Sequence, residues 1–439
     1  MIRVRFAPAL TGNLFLNTVR VALANDLFAR RGQGRMLLRV DDLDQERLRG
    51  APVDQILQDL RWFGIEWHET FRQTEHADLY QETIARLKRD AFIYPCFETA
   101  EELTAKQEFR RKRNQSPVYD RAMLSLTDKQ RQDAEAGGKR PHWRFKLSGE
   151  TIEWNDLILG PRRVALPAVS DPILVSADGT PTAILASVVD DVAYGTTHII
   201  RGEDNAGNTA AQIALFGVIG GPSGRVQFGH LPALGDKGRT SPGGRKATSV
   251  ALRSLRHDGV EPSAILACMV GITQAPVPLE DLARGFDLAD FATARFDITE
   301  MLALNRRVLS TLPFAAVADR LPNGATEAFW LAVRGRLDLL KEARGWWDVV
   351  AGTIVPPVID GARELLLTAE SLLPPEPWDN DVWDMWIGAL RQATERTGEA
   401  LLEPLRLALT GEDDGPDLAD LLPLIGRPRA ASRLVTAAT

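Results

Sequence analysis

The residues able to do chemistry gather in a few short strings. A glycine turn, Pro8 to Asn13, follows a short apolar run, and an acidic turn, Asp41-Asp42-Leu43-Asp44, follows a second one. Further on, Gly235 to Lys246 is basic and rich in glycine, proline and serine. Such a stretch reads as a mobile loop. Other chemistries lack their spacing. The six histidines are scattered without an HxxxH pattern, and there is no CxxC, so no metal site is expected. The two cysteines, Cys96 and Cys268, argue against a disulfide scaffold and fit a reducing cytoplasm.

The elements that must position these strings follow from periodicity. Ile2 to Ala7 and Met36 to Val40 read as strands. Val19, Ala22, Leu23 and Leu27 recur at helical spacing until Gly32, and Val53 to Phe63 carries Ile56, Leu57 and Leu60 on a second helix. Strands alternating with helices predict an α/β fold with a parallel sheet, which gathers its ligand outside the carboxyl ends of its strands. The loop around Gly12 and the Asp41 to Asp44 turn then become neighbouring walls of one site. From about Phe92 to Leu166 the pattern shifts to charged helix and short strands, as an insertion would. The earlier pattern resumes at Ile173 to Val175, Ala183 to Val189 and Thr197 to Arg201. Beyond Leu288 the chain reads as helical, with proline-rich joints at Pro356-Pro357 and Pro374 to Pro377.

With 439 residues, 44% of them apolar and 25% charged, the chain has the profile of a soluble multidomain protein. There is no apolar run of about 18 residues to span a membrane, and Met1 to Arg5 lacks the apolar core of a signal peptide. A net charge of −7 does not point to an indiscriminate polyanion binder, but a basic face on an acidic protein still suffices for RNA.

Arg5-Phe6-Ala7-Pro8, Thr11-Gly12 and Arg39-Val40-Asp41-Asp42-Leu43-Asp44 resemble the opening of glutamyl-tRNA synthetases, R-[FI]-A-P-S-P-T-G followed by R-[IV]-E-D-T-D. Asp178-Gly179-Thr180-Pro181-Thr182, Val188-Val189-Asp190-Asp191 and His198-Ile199-Ile200-Arg201-Gly202-Glu203-Asp204 are similar to a second block of that family, continued by Asn208-Thr209 and His230-Leu231-Pro232. Leu304-Asn305, Phe329-Trp330-Leu331 and Leu409-Thr410-Gly411 extend the likeness into the helical region of alphaproteobacterial members. The resemblance implies a Rossmann-like catalytic domain over 1–91 and 167–234 and an inserted acceptor-binding subdomain over 92–166. It also implies a loop and stem-contact region over 235–300 and an all-helical tRNA-binding region over 301–439. It implies ATP with Mg2+, tRNA as partner, and glutamate or another amino acid as substrate, handled by a monomer. Arg5, Ala7 and Arg201 would hold the amino acid, Asp41 its α-amino group, Ala183 would line the pocket, and Glu203 would face the nucleotide or amino acid. Read without the resemblance, Arg5 and Arg201 are solvated or core-bridging charges.

Four departures stand against that pattern. The H-I-G-H-type signature falls on Phe15-Leu16-Asn17-Thr18. Phe15 has no donor for the phosphates, Asn17 adds a side chain where a glycine leaves room, and Thr18 remains as a polar substitute. Losing one transition-state donor costs about 2.7–4 kcal/mol, or 10²–10³ in rate. The K-M-S-K-S-type loop is altered as well, and two registers fit it. One sets Ser241-Pro242 over serine and lysine; the other sets Gly244-Arg245-Lys246 over S-K-R, making Arg245 and Lys246 the catalytic cations. Ala183 and Ile184 replace an expected tyrosine and histidine, and Ala9-Leu10 replace serine and proline. Cys96-Phe97-Glu98 with Tyr119 offers one sulfur, so no zinc is expected.

Some residues carry only structural readings. Trp346, Trp347, Trp378, Trp383 and Trp386 are expected to pack helices, and His198 and His230 to be satisfied structural histidines. Arg110, Arg111, Lys112 and Arg113 form a solvated helix face first and a tRNA contact second. Three functions then compete: a glutamate–tRNA ligase with reduced or lost turnover, a non-catalytic tRNA- or protein-binding paralogue, and a ligase repurposed for another acid or acceptor.

Overall fold

A computed structural model describes residues 1–10, 12–44, 53–220, 226–235, 250–272, 279–378 and 381–439. Thr11, Ser241, Pro242, Arg245 and Lys246 lie outside the described residues. Two compact units emerge, one of Met1–Arg253, Met269–Gly271 and Val277–Phe296, the other of Ser254–Cys268, Ile272–Pro276 and Asp297–Thr439. The stretch expected as one region, 235–300, is thus shared between them.

The first unit is built on a parallel sheet. Its strands are β1 (Arg3–Phe6), β2 (Arg35–Val40), β3 (Glu69–Arg72), β9 (His198–Gly202) and β10 (Gln227–Leu231), in the order β10-β9-β1-β2-β3. Helix α1 (Leu16–Arg31) crosses from β1 to β2, with Val19, Ala22, Leu23 and Leu27 fully buried as the spacing required. Gly32 ends it, its N–H bonding to the Phe28 carbonyl, and Arg30 and Arg31 in the last turn complement the negative end of the helix dipole. Helix α2 (Val53–Trp62) links β2 to β3, and α3 (Ala77–Arg89) follows. Because α1 and α2 carry the chain away from β1 on one side and β9 lies on the other, the strand order reverses at β1. A crevice opens at such a reversal, beyond the carboxyl ends of the strands.

The insertion contains β4 (Ile93–Cys96), α4 (Ala100–Lys112), α5 (Asp128–Ala136), β5 (His142–Phe145) and the hairpin β6 (Thr151–Asp156) to β7 (Gly160–Ala165). Capping boxes start both helices, Thr99 with Glu102 and Thr127 with Gln130. No side chain of α4 is buried, so Arg110, Arg111 and Lys112 stand on a solvated helix. Strand β8 (Ile173–Val175), expected with the resumed α/β pattern, instead pairs antiparallel with β5 and completes a sheet of order β4-β5-β8. Its three residues follow Pro172, whose carbonyl already accepts from Phe145, and this fixes the partner. Helix α6 (Ala183–Ala193) then returns under the main sheet, and α7 (Thr209–Ile219) joins β9 to β10.

The second unit is helical around one apolar core, with Trp330 and Trp386 fully buried and Trp346, Trp347, Trp378 and Trp383 packed against it. The tryptophans are packing residues, as expected. The Trp386 indole donates to the Ala369 carbonyl at 2.9 Å, which satisfies its one polar atom. Buried Arg433 donates to the carbonyls of Val349, Gly352 and Leu409, orphan acceptors at the ends of helices Ala343–Ala351 and Glu399–Thr410. Its charge therefore sits where helix dipoles are negative. Among the described residues no helix is long and apolar enough to cross a membrane.

Candidate active site at the carboxyl edge of the parallel sheet

A cavity of about 660 Å³ opens at the sheet reversal. Phe6 and Ala7 at the end of β1, Asn17 and Thr18 at the start of α1, Arg201 to Asn205 after β9, and Leu231 to Ala233 after β10 line it. Of the predicted site residues, the cavity wall thus brings together Ala7, Arg201 and Glu203 for the substrate and Thr18 for catalysis. Arg5 lies behind the wall, Asp41 stands at the end of β2, and neither Ala183 nor Phe15 contributes to this wall. Ala183 is the exposed first residue of α6.

The charged side chains are anchored from behind. Arg5, 6% exposed, donates through Nε to Asp191 Oδ1 at 3.0 Å. Arg39 grips Asp41 with two bonds, 2.6 and 3.1 Å, and also donates to Ser187 Oγ at 3.0 Å. Burial works against the Arg39 charge, but Asp41, Asp191 and Asp190 together raise its pKa above the ordinary value. Asp190 accepts from Gln73 and Tyr80 and sits 3.0 Å from His76; burial raises its pKa in spite of these bonds. Ser187, Asp190 and Asp191 all come from α6, whose role was invisible in the Val188 to Asp191 string beyond its resemblance. Asp42 faces elsewhere, bonding Thr74 and Arg72, and ties β2 to the turn after β3. Arg201, brought down to about 10 by burial and by the Arg5 charge, donates to His230, Thr209 and the Asn205 carbonyl. His230 is satisfied, as expected, yet it does so by holding a site arginine.

The opposite side of the cavity is the N-terminus of α1. Its first turn carries no acid and no side chain caps it, which suits an anion. Phe15 is 37% exposed at the N-cap. Asn17 directs Oδ1 to the Leu234 N–H at 2.8 Å. Leu16 N–H donates to the Val250 carbonyl, Leu252 N–H to the Leu14 carbonyl, and Phe15 bridges Ala251. Residues on both flanks of 236–249 are therefore tied to 14–17. Gly12, at φ +85°, makes a turn before this segment that a side chain would strain.

In the insertion, Cys96, Glu98 and His142 bring ligand atoms within 4.8 Å of one another. Sequence reading missed His142, which β5 places beside Cys96 through strand pairing. The set offers one thiol and a buried imidazole whose Nε2 has no hydrogen-bond partner, while its carboxylate is already bonded to Lys106 and Tyr119 at 2.6 Å each.

Comparison with known proteins assigns the class. Residues 1–310 match the family described as tRNA synthetases class I (E and Q), catalytic domain, and residues 359–438 match the anticodon binding domain. The chain is 52% identical over 443 residues to glutamate–tRNA ligase 2 of Granulibacter bethesdensis, covering 99% of this chain and 98% of the relative. It is 52% identical over 444 residues to glutamate–tRNA ligase 2 of Acidiphilium cryptum, covering 100% of both. The crystal structure of glutamate–tRNA synthetase from Elizabethkingia anophelis superposes with a TM-score of 0.83 at 25% identity, over 100% of this chain and 99% of that one. This chain belongs to the glutamate–tRNA ligase family of class I tRNA synthetases.

Proposed function

We propose that the protein is a glutamate–tRNA ligase whose adenylation step is slow. The observation that carries the reading is the buried support behind Arg5, Asp41 and Arg201, which keeps three charges at the mouth of the sheet in fixed positions. Arg201 meets a substrate carboxylate at the cavity wall, Arg5 acts on it from behind the wall, and Asp41 takes the α-amino group. A glutamate carboxylate oxygen attacks the α-phosphorus of ATP and pyrophosphate leaves; a terminal tRNA hydroxyl then displaces AMP. ATP brings Mg2+. The α1 N-terminus and Thr18 face the phosphates, with Arg245 and Lys246 as the loop cations. Phe15 gives the transition state no donor, which sets the slow step. The insertion needs no zinc, since Glu98 is held by Lys106 and Tyr119. The protein works as a cytoplasmic monomer.

Glutamate-dependent exchange of labelled pyrophosphate into ATP, with and without tRNA, tests this. Weak exchange specific to glutamate is expected. Exchange with another amino acid alone would transfer the site to a repurposed ligase. No exchange with any amino acid would leave the second reading, a tRNA-binding paralogue, which the exposed Phe15 at the helix start favours. That paralogue would bind tRNA with a steep salt dependence and have no affinity for ATP.

A further inference from the structure

The two site arginines are held by different means, and the difference concerns charge. Arg5 is paired directly with a carboxylate, Asp191, at 3.0 Å. Arg201 has an imidazole in that place. Its Nε donates to His230 Nε2 at 3.1 Å, and Thr209 Oγ1, which accepts from Arg201 Nη2 at 2.8 Å, lies 3.0 Å from the same Nε2. An Nε2 that receives two donors carries no proton, so the ring proton is on Nδ1. Nδ1 lies 2.5 Å from Asp156 Oδ2, and both side chains are wholly buried. The other Asp156 oxygen accepts backbone N–H groups from Ile158, Leu159 and His230, so the carboxylate cannot turn away. Asp156 ends β6, a hairpin strand of the insertion, and Leu157 next to it donates to the Phe228 carbonyl of β10 at 2.8 Å.

We propose that Asp156 and His230 are positioning residues that fix the imidazole as the neutral Nδ1–H tautomer, so that it orients Arg201 without cancelling the guanidinium charge. A carboxylate in contact with Arg201 would form a second closed ion pair like that of Arg5 and weaken the attraction for an anion. The neutral ring satisfies the Nε–H while moving the compensating charge one ring farther off. Arg201 is then the arginine whose positive charge is free for a substrate carboxylate. This deepens the site reading above and rests on it.

The test uses the full chain with three substitutions, Asp156→Asn, His230→Gln and His230→Leu. Calorimetric titration with glutamate, titration with ATP and the side-chain nitrogen spectrum of the histidines are recorded for each. The wild-type ring is expected in the Nδ1–H form, and Asp156→Asn is expected to mix tautomers. Glutamate Kd rises about tenfold to hundredfold in Asp156→Asn and His230→Leu, while ATP binding holds. His230→Gln, which keeps an acceptor for Arg201 and a donor for Asp156, recovers most of the affinity. A purely structural role would lower Tm yet leave glutamate Kd of the folded protein alone. An Nε2–H ring in the wild type, or unaltered glutamate Kd in a folded Asp156→Asn protein, would overturn the relay. A wild-type protein that binds no glutamate overturns the site reading instead, and the spectrum then decides the relay by itself.

Discussion

The sheet side and the helix side of the crevice are supported differently. On the first, Arg5, Asp41 and Arg201 each have a partner inside the protein: Asp191, Arg39 and His230. On the second, Phe15 stands half exposed at a helix end, and Asn17 spends its oxygen on Leu234. Taking away one member of a buried charge pair strands the other, at a cost of about 3–5 kcal/mol. Changing an exposed residue costs about 0.5 kcal/mol or less. Stability alone therefore constrains the Arg5–Asp191 and Arg39–Asp41 pairs far more than it constrains Phe15.

The comparison breaks most directly at Asp191. Asp191→Ala should lower the free energy of unfolding by about 3–5 kcal/mol in denaturant titrations, while Phe15→Ala moves it by about 0.5 kcal/mol at most. Equal losses would abolish the distinction. Next in size is Phe15→His, which should raise pyrophosphate exchange by about 10²–10³ if the missing donor limits the reaction. Unchanged exchange would move the defect elsewhere.

A pH titration sharpens the same contrast. The bonds from His230 and three backbone N–H groups hold the Asp156 carboxyl, against its burial, down at about 2. A depressed folded pKa gives stability that is complete above the unfolded value of about 3.9 and disappears as pH falls toward the folded value. Asp156→Asn should thus remove a contribution of about 2–3 kcal/mol at neutral pH and flatten stability between about pH 4 and 2. Asn17→Gly is smaller, about 0.5–1.5 kcal/mol for the lost bond to Leu234, read as a drop in Tm. Smallest of all is chelation, where exhaustive treatment should release no zinc by elemental analysis and leave Tm unchanged. Stoichiometric zinc from Cys96, Glu98 and His142 would reverse that reading.

Much of the fold was legible because period and punctuation agreed. Val19, Ala22, Leu23 and Leu27 face inward, and the strands through Arg5 and Arg39 end where the glycine and acidic turns begin. The candidate site was legible as far as the residues lining the crevice occur in contiguous strings. The residues behind them were not. Asp156 reaches His230 across 74 positions and Asp191 reaches Arg5 across 186, and no local pattern announces a bond formed by packing. Strand β8 was misplaced for a similar reason, since three apolar residues do not say which sheet they join.

The ties at 14–17 bear on how this protein can be altered. Gly235 on one flank and Val250 on the other are moored to the same helix start through Leu234 and Leu252. A segment grafted between them arrives with its ends already brought together. Doubling the length of a flexible graft then adds only about 0.6 kcal/mol of closure entropy. Segments of different length between Leu234 and Val250 should therefore be accepted at little cost to the sheet that carries Arg5 and Arg201.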